Sequence, residues 1–543
     1  MTTLRTLAAA AARRLARLPE EVRAAEEALA AGDAERAIAL TDATIRERPG
    51  DRAVLGFRRR AFAARGDMTG VAATIAALRR TPGGEAVIGT ERRLHGDLAE
   101  TDPRWRPRIR GGARHAIEPR SDRVVMHLLK ESLPQRQTGF TMRSHDNLLA
   151  ARAAGWDPVV VTALGFPRWT GGEVVALEEV DGIRHHRVDL GAGYPQEGPV
   201  DSYLEDYAWR AAAIALGERP AIVHASSGGR GYESALVGLA LGAHLDLPVV
   251  YEVRSLFDGP SPGGGPSASD ATSTRERYRR RDATEVRCML AADAVVTLAE
   301  TMKSDIVARG VPAERVYIVP NGVDPEAFRP RPPDPTLRER YGLGDRFVIG
   351  YVSNLDHPRE GQETLIEATA ILAAAGHDVA CLIVGEGRRR AELELIAAGS
   401  GAADRIVFTG AVPHAEVPAL YALLDAFVVP RRDERAARLV TPLKPFEAMA
   451  MARPMIVADL PALTEVAPDG ERSLVYPPEN AAALAAAVDR LLDDPALAGR
   501  LGEAGREWVT RERTWASNGP RWTDIYEAVL ARRREARRDG SAS

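Results

Sequence analysis

The sequence predicts an α/β protein with two doubly wound domains in series, preceded by an α-helical repeat-like region. Three observations predict it. Short apolar runs alternate with helical stretches from Val124 onward, the runs are too continuous for half-exposed strands, and the pattern restarts after the proline-rich joint 329–335. Such sheets are parallel and covered by helices on both faces.

Length and composition bound the rest. The chain has 543 residues, room for two to four domains at ~150 residues each. A formal charge of -4 with 45% hydrophobic and 27% charged residues suits a soluble globular protein and argues against global adhesion to nucleic acid or anionic membrane. Cys288 and Cys381 are the two cysteines. They form no CxxC pair or Cys/His cluster, which excludes a disulfide framework and a structural zinc site and points to a cytosolic redox setting. No run of ~18 apolar residues exists for a membrane-spanning helix.

Residues 1–17 carry Arg5, Arg13, Arg14 and Arg17 around a stretch of alanines too short and too weakly apolar for a secretory signal. They predict a basic amphipathic helix, either weakly attached to a membrane surface or partner or simply solvated. Across 1–100, Gly32-Asp33 recurs as Gly66-Asp67, 34 residues on. With Ala24, Ala28, Leu29, Ala37, Ile38, Ile45 and Pro49, the first copy resembles a tetratricopeptide unit. The second, with Phe62, Val71, Ile75 and Leu78, is looser. Two copies are fewer than the roughly three a free solenoid needs, so the region is expected to lean on another domain or chain. Residues 101–123, with Pro103, Pro107, Gly111, Gly112 and Pro119, predict an extended linker.

Strands are expected at 124–129, 158–162, 183–188, 221–224, 249–253, 294–298 and 316–319, then at 347–352, 379–384, 405–409, 426–429, 455–458 and 474–476. Two such domains place a cleft between them, at the carboxyl ends of the strands. Segment 258–282, rich in Gly, Pro, Ser, Thr and Arg, breaks the rhythm as a lid or a passive loop.

The most informative segment is 440–454, Val-Thr-Pro-Leu-Lys-Pro-Phe-Glu-Ala-Met-Ala-Met-Ala-Arg-Pro. Pro442 and Pro445 suit a first helical turn, whose free amides attract an anion such as phosphate. Lys444 adds a point charge there. Glu447, one turn on, can accept two hydroxyl hydrogen bonds from a ribose. The alternative is a salt bridge at an ordinary helix terminus. The chain has only three lysines, Lys130, Lys303 and Lys444, against 69 arginines, so an ammonium at 444 stands out.

This segment resembles the nucleotide-binding helix of glycosyltransferase family four. Further similar stretches are Val319-Pro320-Asn321-Gly322-Val323-Asp324 with Phe328, the run 349–354 through Glu360-Gly361 to 365–368, Leu382 to Gly387, Phe408 to Val412, and the glycine loop Thr138-Gly139-Phe140. The resemblance covers roughly 124–530. It implies a GT-B fold, with helical region 1–100, linker 101–123, an acceptor-side N-domain 124–330, a nucleotide-sugar-side C-domain 336–510, helices 511–535 returning to the N-domain, and a tail 536–543. It also implies a retaining transfer from a nucleotide diphosphate sugar to a hydroxyl, with no cofactor and no metal. The donor would be bound by Gly139, Asn354, Gly410, Val412, Lys444 and Glu447. On the acceptor side stand His224, equally readable as a packed histidine, with Glu252 and Arg254.

The chain departs from the family pattern. The first glutamate of the usual pair falls on Leu439, and the arginine and lysine of the first C-domain loop fall on Asn354 and Glu360. The expectation is that Arg431, Arg438 and Lys444 supply the missing positive charge as catalytic cations, or else that the two arginines are solvated. The combination resembles a subgroup associated with bacterial exopolysaccharide clusters. The expected setting is cytoplasmic, at most peripheral to the inner membrane face. Partners are the nucleotide sugar, a saccharide, lipid-linked or protein acceptor, and a protein or second copy on 1–100, but no nucleic acid. The rival readings are a non-catalytic nucleotide-sugar sensor or scaffold and a GT-B epimerase or phosphorylase.

Overall fold

The computed structural model describes residues 20–111, 115–191, 198–228, 231–255 and 276–541. The expected helix at 1–17 and most of the expected loop 258–282 lie outside the described residues. Where the loop was expected to run on to 282, the helix Glu276–Ala291 is already under way.

The described residues form two compact units. The first comprises the described residues within Met1–Gly112, Leu190–Arg210 and Ala268–Arg287. Its helices Glu20–Ala30, Ala34–Leu40, Asp42–Glu47, Arg52–Arg65 and Met68–Arg79 bury Val22, Ala25, Ile38, Val54 and Phe57. Both Gly-Asp pairs do the same local work. Gly32 and Gly66 adopt φ of 85° and 72°, a conformation in which a side chain is strained. Asp33 and Asp67 then cap the next helix, accepting from the amides of Arg36 and Gly70 at 2.9 and 2.6 Å. The expected boundary at residue 100 is too simple, because two later segments join this unit. Arg110 pairs with Asp206 at 2.8 Å, and the amide and hydroxyl of Thr69 both donate to Glu276 at 2.8 Å.

The second unit carries both sheets. The first sheet is built from β1 (Val124–Leu129), β2 (Asp157–Thr162), β3 (Leu177–Val180), β4 (Ile183–His186), β5 (Ile222–Ser226), β6 (Val249–Glu252), β7 (Ala294–Thr297) and β8 (Val316–Ile318). Its order is β3-β4-β2-β1-β5-β6-β7-β8, parallel throughout except for β3 against β4. The second is built from β9 (Phe347–Val352), β10 (Val379–Val384), β11 (Ile406–Phe408), β12 (Ala426–Val429), β13 (Met455–Ala458) and β14 (Ser473–Tyr476), in the order β11-β10-β9-β12-β13-β14. Every residue of β1, β10, β12 and β13 is buried. That is why β10, β12 and β13 are continuous apolar runs and β1 is one apart from His127, each buried Val, Leu, Ile, Met or Phe contributing roughly 1.5–3 kcal/mol.

In both sheets the strand order reverses beside the first strand, β1 or β9, which opens a crevice at the carboxyl ends. The helix Gly139–Ala153 follows β1 and begins in that crevice, its start fixed by a reciprocal cap between Thr138 and Thr141. The last helix, Asn518–Ser541, packs on the first sheet's domain. Asn518 and Trp522 both donate to Asn147 Oδ1 at 3.0 Å, and Trp522 and Tyr526 stack beside Trp156 and His224. It runs to Ser541, so most of the stretch 536–543 expected as a tail is helix.

Candidate functional site

Within the second unit a cavity of about 450 Å³ opens at the carboxyl ends of β9, β10 and β11. Its far wall is the start of the helix Gly139–Ala153, with Gln137, Thr138, Gly139, Met142 and Asp146. The two walls come close at one point. A Cβ on Gly139 would sit 3.1 Å from Leu443 Cδ1, so any larger residue there would push the leucine side chain back by a few tenths of an ångström.

Lys444 and Glu447 open the helix Lys444–Ala450, with Pro445 in its first turn and Pro442 before it. The ammonium of Lys444 lies 3.3 Å from both carboxylate oxygens of Glu447. The hydroxyl of Tyr421 donates to Glu447 Oε2 at 2.8 Å. Glu447 is thereby aimed from two sides, and both it and Lys444 line the cavity. Asn354 and Val412 line it too, while Gly410 stands one residue behind, bridged to Gly385.

The expected cationic cluster is not there. Arg431 is buried and donates to Glu360 from Nε at 3.2 Å and from Nη2 at 3.0 Å, and its Nη1 donates to the Val440 carbonyl. Tyr351 adds its hydroxyl to the same carboxylate at 2.5 Å. Burial works against the charge on Glu360, but Arg431 and Tyr351 outweigh it and hold the carboxyl below its ordinary value. Glu360, a departure from the family pattern, and Arg431, the cation expected to compensate for it, thus neutralise each other inside the fold. Arg438 is spent on Asp433 at the surface. Among the described residues lining the cavity, Lys444 is the one cation, alongside the carboxyls of Asp146, Asp324, Glu386 and Glu447, of which Glu447 is paired with Lys444 and Glu386 with Arg390.

On the first sheet's side, Glu252 at the end of β6 is fully engaged. Arg143 donates to its Oε1 at 2.7 Å and Arg254 to its Oε2 at 2.5 Å. Both guanidinia hold it strongly ionised against burial. His224 is 1% exposed and shares a 2.8 Å hydrogen bond with Tyr526. Burial, abetted by Arg254 and Arg143, brings it down to about 4, so it is neutral at pH 7. Of the three expected acceptor-side residues, Arg254 alone lines a cavity of useful size, about 180 Å³, with Phe140, Ser144, Ser226 and Ser227. His224 and Glu252 are packing and charge-pairing residues behind it.

Asp146 also lines the cavity, although the sequence does not single it out. Burial, then the nearby charge of Asp324, pushes its carboxyl up to about 7. The available clue was spacing, since 139, 142 and 146 share one helical face. Among the described residues no group of three or more His, Cys, Asp or Glu could hold a metal ion.

Comparison with known proteins matches residues 346–494 to Glycosyl transferases group 1 and residues 138–322 to the Glycosyl transferase 4-like domain. A GDP-mannose-dependent alpha-mannosyltransferase of Mycolicibacterium smegmatis is 30% identical over 418 residues, 73% of this chain and 94% of that protein. The chain belongs to this glycosyltransferase family. A second relative from the same organism, a GDP-mannose-dependent alpha-(1-6)-phosphatidylinositol monomannoside mannosyltransferase, is 35% identical over 249 residues, 45% of this glycosyltransferase chain and 64% of the relative. The fold is shared with sucrose-phosphate synthase from Thermosynechococcus elongatus, at TM-score 0.61 and 24% identity, covering 75% of this chain and all of that one. It is shared also with Anabaena HepE in complex with UDP and glucose, at TM-score 0.56 and 16% identity, covering 74% and 99%. The fold is therefore GT-B, as the sequence predicts.

Proposed function

We propose that the protein transfers a hexose-type sugar from a nucleotide diphosphate sugar to a hydroxyl acceptor, with retention at the anomeric carbon. The observation that carries this reading is the convergence of Lys444, Glu447 and the start of the helix Gly139–Ala153 on one cavity. Lys444 and the free amides at that fifteen-residue helix's start face the departing diphosphate, and such fixed charge and dipoles lower the barrier by stabilising the leaving group. Glu447, oriented by Tyr421, takes the ribose hydroxyls. In the step itself the bond from the anomeric carbon to the diphosphate oxygen breaks and the bond to the acceptor oxygen forms on the same face. The acceptor proton passes to the departing phosphate. No side chain need act as base, which agrees with a neutral, buried His224. No cofactor or metal takes part.

The relatives that act on phosphatidylinositol mannoside or with GDP-mannose support a glycoconjugate product, and we place the protein in polysaccharide assembly of the exopolysaccharide type. Its setting is the cytoplasm or the inner membrane face; among the described residues no helix is long and apolar enough to cross a membrane. Residues 20–100 act as a tetratricopeptide-like docking module, supported by two helix pairs turning on Gly-Asp pairs 34 residues apart. A sensor without catalysis is disfavoured by the family membership. The test is release of nucleoside diphosphate from a panel of nucleotide sugars, with and without saccharide and lipid-phosphate acceptors. Acceptor-dependent release with one donor is expected. No release and no thermal stabilisation by any donor would refute it.

A further inference from the structure

We infer that Asn321 is a positioning residue, whose side-chain amide holds the two walls of the cavity against each other for transfer. The inference rests on the proposed transferase function and adds the residue that aligns its two halves. Asn321 lies in the joint between the two sheets, after β8 and before β9, and is 4% exposed. Its Oδ1 accepts from Arg143 Nη1 at 2.9 Å, and its Nδ2 donates to the Thr441 carbonyl at 2.9 Å. Arg143 is about one turn beyond Gly139 on the helix that forms one wall. Thr441 stands just before Lys444, at the approach to the helix that forms the other. One side chain thus ties both walls together. Because a guanidinium only donates and a carbonyl only accepts, these partners also fix which way the amide points.

The two ends of this strut are not equally secure. Arg143 has other acceptors, the Glu252 carboxylate at 2.7 Å and the carbonyls of Val319 and Pro320 at 2.7 and 3.0 Å. It keeps its place without Asn321. The joint itself is also fixed, since the amide of Val323 donates to the Arg513 carbonyl at 2.9 Å and a Cβ on Gly322 would meet the Trp515 nitrogen at 2.9 Å. Thr441 has no comparable second hold on the far wall. Its hydroxyl reaches the Ala462 carbonyl at 3.4 Å, and Arg431 donates to the Val440 carbonyl at 3.0 Å, both within the second sheet's own half. The polar link from this segment to the opposite wall is the amide of Asn321.

Aspartate at this position separates positioning from folding. It presents two acceptor oxygens, so Arg143 keeps its partner, while the Thr441 carbonyl meets an oxygen in place of a donor. Arg143 and Arg254 share one carboxylate, Glu252, so the added negative charge is compensated where it falls. Lys444 and Glu447 sit together on one helix of the second half, so binding of a nucleoside diphosphate alone survives the cut. Transfer is more demanding. It needs the diphosphate, the start of the helix Gly139–Ala153 and the acceptor aligned at once, and a displacement of ~1 Å costs about 100-fold in such a step.

The experiment compares the full chain with Asn321→Asp and Asn321→Ala by steady-state transfer, by calorimetry with the nucleoside diphosphate of the active donor, and by urea denaturation. Both variants should lose roughly tenfold to a hundredfold in kcat, with donor KM and nucleoside diphosphate Kd changed less than about threefold. Asn321→Asp should keep a urea midpoint near that of the wild type, so a merely structural role would not produce this split; if it does not fold, Asn321→Ala carries the test. A second readout needs no activity. Spin labels on Arg136→Cys and Leu395→Cys, exposed positions in the two halves, report their separation by pulsed electron resonance. The distance distribution should be narrow with Asn321 in place and broadened or shifted in both variants. The inference is overturned if kcat is unchanged, if nucleotide affinity falls as far as kcat, or if the label distances stay the same. Absence of transfer by the wild type with every donor would instead overturn the transferase reading, and the inference with it, whereas constant label distances overturn the inference alone.

Discussion

Replacing Arg431 by methionine separates a structural cation from a substrate-binding one. Its guanidinium and the Glu360 carboxylate are each 9% exposed, joined by hydrogen bonds of 3.0 and 3.2 Å, with Tyr351 completing the set at 2.5 Å. Removing the arginine leaves the buried Glu360 carboxylate with the Tyr351 hydroxyl and a 3.3 Å contact to the partly exposed Arg359 as its remaining partners, at a cost of roughly 2–4 kcal/mol. Removing both charges, as Glu360→Gln with Arg431→Met, leaves no unpaired buried ion, since Arg359 is one-third exposed, and should recover most of that loss. A coupling energy of at least about 2 kcal/mol is expected from the cycle. Urea denaturation of the four proteins, followed by tryptophan fluorescence, measures it, and titration with a nucleoside diphosphate runs in parallel. The reasoning predicts a destabilised single variant and a double variant that still binds nucleotide. If Arg431→Met is as stable as wild type and the double variant has lost nucleotide affinity, Arg431 faces the ligand and its placement as a fold-stabilising partner is wrong.

Other outcomes follow from the same geometry. The folded-state carboxyl of Asp146 titrates near 7 instead of 3.8, so the native state holds a proton that the unfolded chain releases. Stability from this group is therefore lost as pH rises from about 4 to 7, and Asp146→Asn should gain about 2–3 kcal/mol relative to wild type between pH 5 and pH 8 in urea midpoints. A gain that does not grow with pH would contradict this. Tyr421→Phe deletes the 2.8 Å bond to Glu447 and should weaken nucleoside diphosphate binding about three- to tenfold, read by calorimetry; unchanged affinity would detach Tyr421 from the site. Gly139→Ala places a methyl 3.1 Å from Leu443 and should lower turnover more than it lowers the melting temperature. Equal loss of both would mean that the glycine serves folding alone.

Much of the fold could be read from the sequence because buried parallel strands advertise themselves as continuous apolar runs. The runs at 347–352, 379–384 and 455–458 coincide with β9, β10 and β13. β3 escaped for the opposite reason. It is an antiparallel edge strand with Glu178 and Glu179 at its centre, and its alternation of exposed and half-buried residues holds no apolar signal. The placement of Lys444 and Glu447 on the cavity was legible because both residues lie within one helical turn. Arg431 was not, since its partner Glu360 is 71 residues away and only the fold brings them together. The charge balance of the cavity was illegible likewise, as Asp146 and Asp324 come from segments that no local pattern connects. His224 and Glu252 had the right residue types for chemistry, but burial behind Arg254 gave them other work.

The most direct measurement compares how much the diphosphate adds to binding over the bare nucleoside, in wild type, Lys444→Ala and Arg438→Ala. With Lys444 as the one cation lining the cavity among the described residues, that gain should shrink about tenfold or more in Lys444→Ala and stay intact in Arg438→Ala. An equal gain in wild type and Lys444→Ala would contradict the account, because the diphosphate would then be held somewhere else.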